Sequence, residues 1–170
     1  MTSARLISAT TVAVAIDHDG PLCGIALLGE SGAGKTRLAL SLIANCPFRR
    51  SMLISDDMSQ IAAQNGQLMA SPPDPIAHAI EHRGTGIGFV SIKKQCPLKL
   101  ALHLSRDGER LPVDPPDWHP LGDEAPGLPG HCWSIGGEGL RLYLRAVLSG
   151  HSRRGGFDTI PGNFGQDRNG

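Results

Sequence analysis

The segment 29–36 constrains the fold of this chain more than any other, because it reads Gly-Glu-Ser-Gly-Ala-Gly-Lys-Thr and completes the G-x-x-x-x-G-K-[ST] pattern. An apolar run over 23–28 precedes it, and apolar residues recur at helical spacing over 36–44. Glycines let a backbone approach an anion closely, while successive N–H groups and the start of a helix attract phosphate. The sequence therefore predicts a phosphate loop between a core strand and a helix.

Each residue type in this loop has an expected task. Lys35 would span the β- and γ-phosphates of a nucleotide, and the Thr36 hydroxyl would bind Mg²⁺. ATP and Mg²⁺ are therefore the predicted cofactors. The predicted phosphate-binding residues are Gly29, Glu30, Ser31, Gly32, Ala33, Gly34, Lys35 and Thr36. A glycine-rich surface turn is the alternative, and the flanking strand and helix argue against it.

Two carboxylates, Asp56 and Asp57, follow a short apolar run over 51–55. In open α/β sheets the ligand site lies at the carboxyl ends of the strands, beside the phosphate loop. One carboxylate could accept a proton from an attacking hydroxyl while the other helps to hold the metal through water. Solvated turn residues, or the metal-binding aspartate of an ordinary ATPase, would give the same pattern.

A third pattern, over 81–88, reads Glu-His-Arg-Gly-Thr-Gly-Ile-Gly. Its glycines suggest a mobile loop that approaches a ligand, with Glu81 as a candidate metal ligand and Arg83 as a candidate phosphate contact. Just before it, the residues 76–82 are compatible with a helix. Taken alone, the pattern is equally typical of a turn with a surface ion pair.

The three patterns together resemble the catalytic domain of bacterial HPr kinase/phosphorylase, which phosphorylates a serine of the phosphocarrier protein HPr. The phosphate loop, the segment 54–57 and the E-x-R-G-x-G-I pattern over 81–87 match that family in order and spacing. The match is to the short form, without the family's N-terminal domain. It implies an α/β P-loop nucleotide-binding domain similar to phosphoenolpyruvate carboxykinase, with a mixed sheet and flanking helices. It also implies an HPr-like partner and a homo-oligomer, specifically a hexamer.

The resemblance also assigns roles to individual residues. Asp56 would be the base that deprotonates the acceptor serine, Lys35 would activate the phosphoryl group, and Arg110 aligns with an arginine that the family uses in catalysis. Together with the patterns above, this gives Lys35, Asp56, Arg83 and Arg110 as candidate catalytic residues, and Thr36, Glu81 and Asp57 as candidate metal ligands.

Two positions depart from the family pattern. Ser8 stands where the family has a catalytic histidine, and Arg37 stands where an acidic residue usually follows the phosphate-loop hydroxyl. The loop that the family uses for dephosphorylation is not recognisable over 129–139, so phosphorylase activity is not predicted. Three functions stay open: a protein serine kinase, a catalytically degenerate nucleotide-binding regulator, and a different P-loop small-molecule kinase or ATPase.

Composition limits the setting in which the chain works. Sixteen basic residues balance sixteen acidic ones, which argues against electrostatic capture by nucleic acid or a membrane surface. No apolar run approaches the roughly 20 residues of a membrane span, and four dispersed cysteines favour reduced thiols in the cytoplasm. Within the 170 residues we expect one kinase-like domain over 1–150 and a disordered tail over 151–170.

Overall fold

A computed structural model of the chain describes residues 4–73, 79–82, 86–105, 115–134 and 139–149. Across these ranges the chain forms ten strands and two helices. The strands are β1 Arg5–Ser8, β2 Thr10–Val14, β3 Cys23–Leu28, β4 Met52–Ser55, β5 Met58–Gln64, β6 Gln67–Ser71, β7 Ala79–His82, β8 Gly86–Phe89, β9 Cys96–Ser105 and β10 Gly130–Ser134. The helices are α1 Lys35–Ala44 and α2 Leu140–Leu148.

Eight of these strands belong to one sheet, in the order β1-β5-β6-β9-β3-β2-β4, with β10 paired to β9 off this path. Strand β3 is central: it runs parallel to β9 and antiparallel to β2. Strand β10 also runs parallel to β9, while β5 and β6 are antiparallel neighbours. The sheet is therefore mixed, and the predicted α/β class with flanking helices is confirmed.

The central strands are buried on both faces, which explains their nearly continuous apolar sequences. All six residues of β3 are buried, and its side chains alternate between two cores. Ile25 and Leu27 belong to the core that includes the helical residues Leu42 and Leu144. Ala26 lies on the opposite face, in a second core that also includes Ile61 of β5 and Leu68 of β6. The end of β3, where the phosphate loop begins, is thus held from both sides.

The predicted core strand before the phosphate loop and the helix after it are confirmed, as β3 and α1. Strands β5 and β6 form a hairpin, and Asn65 and Gly66 in its turn both have positive φ, at 50° and 74°. The four cysteines are free thiols, as expected.

The helix suggested for 76–82 is wrong for its second half, because Ala79–His82 is a strand that pairs antiparallel with Gly86–Phe89. A short apolar run fits either a helix or a strand, and here pairing with the glycine-containing strand decided the outcome. The expected loop over 81–88 is correspondingly a hairpin in the parts that the structure describes. Strands β1 and β10 were not predicted.

The predicted tail over 151–170 lies outside the described residues. Within the described ranges, neither helix has the length and hydrophobicity that crossing a membrane requires.

Candidate phosphate-binding site

The loop between β3 and α1 depends on three glycines with positive φ: Gly29 at 151°, Gly32 at 79° and Gly34 at 90°. A Cβ atom at Gly29 would lie 3.2 Å from Cβ of Ala33 and 3.3 Å from the carbonyl oxygen of Leu104. The loop is closed by a 3.1 Å hydrogen bond from the Ala33 amide to the Glu30 carbonyl. This backbone has the positive-φ glycines and the close packing that the motif predicts.

Lys35 is buried although it carries a charge, with 7% of its surface exposed. Its Nζ donates hydrogen bonds of 2.9 Å to the carbonyl oxygens of Gly29 and Glu30. An ammonium group has three donors, and these two bonds leave one for a further acceptor. The arrangement holds a cation against the loop and fits a phosphate oxygen as that acceptor.

The start of α1 is suited to an anion. Its N-cap is Gly34, with no side-chain cap, and its first turn contains no acidic residue. The unpaired amides of a helix N-terminus carry partial positive charge, and Arg37 adds an exposed cation on the same turn. The residues present therefore fit a bound triphosphate.

Asp56 connects the end of the phosphate loop to the sheet through side-chain hydrogen bonds. The Thr36 hydroxyl donates a 2.8 Å hydrogen bond to its Oδ1 atom, and the Thr10 hydroxyl donates one of 3.0 Å to the same atom. The amide of Asp57 also donates to Oδ1, at 3.1 Å. Three segments, the start of α1, the start of β2 and the end of β4, thus meet at a single carboxylate oxygen.

The chain is bent sharply around this carboxylate. The pairing of β2 with β4 shifts register between Thr11 and Val12, and such bulges re-aim neighbouring side chains. Asp57 has φ 60°, a left-handed conformation that aspartate tolerates better than most residues. The turn is closed by a 2.6 Å hydrogen bond from the Met58 amide to the Asp56 carbonyl. Asp56 is consequently half-buried and faces Thr36, whereas Asp57 is exposed.

Thr36 and Asp56 are adjacent and together form a candidate site for a magnesium ion. Among the side chains that the structure describes, no three His, Cys, Asp or Glu residues come together. Magnesium needs no such cluster, because it is usually held by one or two protein groups together with substrate phosphates and water. The chemistry of this donor pair therefore fits Mg²⁺ bound jointly with a nucleotide.

The other predicted site residues are less fully placed. Glu81 lies in β7, opposite Ile87 of β8, and its side chain is outside the described part of the structure. Arg83 and Arg110 fall between the described ranges. Their predicted roles, like the metal role of Asp57, stay predictions.

Sequence reasoning missed Thr10. It is fully buried at the first position of β2, yet its hydroxyl reaches the site. The signal available was the presence of two hydroxyl residues, Thr10 and Thr11, at the start of an otherwise apolar strand.

Taken together, the mixed sheet and the loop after β3 define a phosphate-loop domain of the α/β class. A family assignment follows from the sequence itself: the profile of the HPr Serine kinase C-terminal domain matches residues 8–115, more than half of the chain. The chain belongs to this family.

Curated relatives and a solved structure agree with this assignment. The HPr kinase/phosphorylase of Clostridium botulinum is 34% identical over 113 residues, which cover 59% of this chain and 35% of that protein. The HPr kinase/phosphorylase of Brevibacillus brevis is 40% identical over 85 residues, covering 49% of this chain and 25% of that protein. The chain thus spans about a third or less of these relatives.

The solved structure of the Hpr(Ser) kinase/phosphatase from Coxiella burnetii superposes with a TM-score of 0.65. The superposition covers 86% of this chain and 90% of that chain, at 24% sequence identity. This likeness shows the shared fold.

Proposed function

We propose that this domain transfers the γ-phosphoryl group of ATP to a serine of an HPr-like phosphocarrier protein. The hydrogen bond from Thr36 to Asp56 supports this function most directly, because it joins the hydroxyl that we propose as a metal ligand to the carboxylate that we propose as the base. Membership of the HPr serine kinase family supports the choice of a protein serine as acceptor.

The transfer would follow from positioning and charge neutralisation. The loop amides and Lys35 hold the β- and γ-phosphates, and bound Mg²⁺ would neutralise the charge that develops on them. Asp56 accepts the proton of the serine hydroxyl while the serine oxygen forms a bond to the γ-phosphorus. The bond from that phosphorus to the bridging oxygen breaks, and ADP leaves with the electron pair.

The remaining roles are part of the same proposal. Asp57 helps to hold a metal-bound water, Glu81 supplies a second metal ligand, and Arg83 and Arg110 neutralise charge on the transferring group. We also propose a homo-oligomer that acts in the cytoplasm, without a nucleic-acid or membrane partner. Transfer in the reverse, phosphorylase direction is not part of the proposal.

Transfer of label from γ-labelled ATP to the HPr-like protein of the same host tests this function. We expect wild-type protein to label one carrier serine, and D56N to label it at least about 100-fold more slowly, because general-base catalysis typically contributes that much. A carrier variant with alanine at the labelled serine is the matched control. Absence of transfer at any carrier concentration, with magnesium-dependent ATP binding intact, would reject the kinase. ADP release that a metabolite stimulates without any carrier would favour a small-molecule kinase instead.

A degenerate regulator that binds nucleotide but turns over little is the second candidate. Ser8 favours it, because this exposed residue pairs in register with Met58, directly beside the acidic turn, where the family pattern has a histidine. Arg37 favours it too, since it places a cation on the helical turn next to the metal-binding hydroxyl. The double variant S8H/R37E distinguishes the two: a large gain in transfer indicates degeneracy, and an unchanged rate contradicts it.

A further inference from the structure

The side-chain hydroxyl of Thr10 makes two hydrogen bonds that strand pairing does not account for. Its side chain is completely buried at the first residue of β2. The hydroxyl donates to Oδ1 of Asp56 at 3.0 Å and accepts a hydrogen bond of 3.3 Å from the Asp57 amide. A hydroxyl has one proton to donate, and here that proton goes to the carboxylate. Thr10 therefore contacts both residues of the acidic pair, 46 and 47 positions further along the chain.

The hydrogen bonds to the Asp56 carboxylate are unevenly divided between its two oxygen atoms. Within the described part of the structure, all of them end on Oδ1, from the Thr10 and Thr36 hydroxyls and from the Asp57 amide. Among the residues that the structure describes, none donates a hydrogen bond to Oδ2. Oδ1 is thus anchored to the protein by three donors.

We propose that Thr10 is a positioning residue for phosphoryl transfer, which anchors Oδ1 of Asp56 so that Oδ2 takes the proton of the acceptor hydroxyl. This inference rests on the proposed kinase function. The Thr36 hydroxyl donates to the same oxygen, but its own oxygen is also the expected ligand of the metal. The Thr10 hydroxyl has no such second task, and the buried strand holds it in place.

The residue type suits this task. A β-branched side chain in a strand has few χ1 rotamers, so the hydroxyl of a buried threonine is held in one direction at little further entropic cost. Serine would keep the donor but lose the methyl group that restricts it. Valine would keep the shape and lose the donor.

Thr11 offers a matched control on the same strand. It is also completely buried, but its hydroxyl lies 2.9 Å from Oγ of Ser59, which donates in turn to the Ala9 carbonyl at 2.8 Å. T11V therefore removes a buried hydroxyl one residue away without touching the acidic pair.

The experiment compares T10V, T10S and T11V with the wild type in carrier phosphorylation over a range of pH. We expect T10V to lower kcat roughly 10-fold, the lower end of the effect of removing a group that orients a functional residue, with KM for MgATP within about twofold. We expect T10S to retain most of the activity and T11V to behave like the wild type. If T10V does not fold, T10A removes the same donor.

A second measurement separates this inference from the proposed function. The free energy of unfolding is measured by chemical denaturation in T10V, D56A and the double variant T10V/D56A, and likewise in T11V and T11V/D56A. Losses of stability are non-additive for residues in contact and additive for independent ones, so we expect non-additivity for Thr10 with Asp56 and additivity for Thr11 with Asp56. Non-additive losses at Thr10 and Asp56 support the anchoring contact even if no carrier accepts phosphate, which would reject only the kinase. Additive losses for T10V and D56A, or equal losses of kcat in T10V and T11V, would overturn the inference.

Discussion

Oγ1 of Thr36 lies 2.8 Å from Oδ1 of Asp56, although 20 residues separate them in the chain. One residue belongs to the first turn of α1, and the other follows β4. A metal ion that binds the Thr36 oxygen must therefore approach the Asp56 carboxylate as well. This contact therefore links the phosphate loop to the carboxylate that we propose as the base.

Asparagine substitutions at the two aspartates should have different effects. D56N removes the proposed base, so kcat should fall at least about 100-fold at saturating Mg²⁺. D57N removes only an exposed carboxylate proposed to act through water, so it should raise the Mg²⁺ concentration needed for half-maximal activity with a smaller change in kcat. Magnesium titrations of carrier phosphorylation measure both. The assignment of roles is reversed if D57N abolishes transfer and D56N changes only the magnesium requirement.

Replacing Lys35 by methionine should weaken MgATP binding roughly 10- to 100-fold, because charge-assisted hydrogen bonds contribute about 1.5–3 kcal/mol each. Wild-type protein at 100 times its dissociation constant should gain about 2.7 kcal/mol of stability from ATP, and K35M should gain much less. Thermal unfolding with and without MgATP measures this difference. K94M, which removes an exposed lysine, is the control. Equal stabilisation of K35M and the wild type would contradict a nucleotide cradle at this loop.

Alanine at Gly29 should be more harmful than alanine at Gly32. Both positions have positive φ, which costs a non-glycine residue about 1–2 kcal/mol. At Gly29 the new Cβ would also press against Ala33 and Leu104, whereas at Gly32 nothing lies within 4 Å. Chemical denaturation of G29A and G32A should therefore show a larger loss of stability for G29A. A larger loss for G32A would contradict the close packing of Gly29 against Ala33 and Leu104.

Stability should fall as the pH is lowered below about 6.5, partly because of His131. Burial lowers the pKa of His131, whose Nδ1 lies 2.6 Å from the Tyr143 hydroxyl. The folded state therefore keeps the ring neutral, while the unfolded chain binds a proton below its own pKa, so unfolding is favoured there by up to about 1.4 kcal/mol per pH unit. Above about pH 6.5 the ring is neutral in both states, so His131 no longer lowers the stability.

Denaturation between pH 7.5 and 5 in wild type and H131Q measures this term. H131Q should lose less stability than the wild type as the pH falls, because the glutamine side chain takes up no proton. Burial also lowers the pKa of His103, so part of the pH dependence should persist in H131Q. Parallel curves for H131Q and the wild type would show that His131 takes up its proton without cost to the fold.

The phosphate loop could be predicted from the sequence because its determinants are contiguous. Three glycines, a lysine and a hydroxyl within eight residues specify the backbone dihedrals and the donors, and the apolar runs on either side specify the strand and helix. Strand β3 and the turn at Asn65 and Gly66 likewise have local determinants. Burial on both faces and positive φ in a tight turn leave local traces in residue type.

Only the tertiary structure decided which aspartate meets Thr36, that Thr10 joins them, and that 79–82 is a strand. Each of these outcomes depends on partners brought together by strand order and register: Thr10 reaches Asp56 because β2 pairs with β4 across a bulge. A hydrogen bond between distant residues has no signature in the spacing of either one. Residue types close together in the chain therefore determined the phosphate loop. The packing of the sheet determined which carboxylate oxygen contacts that loop.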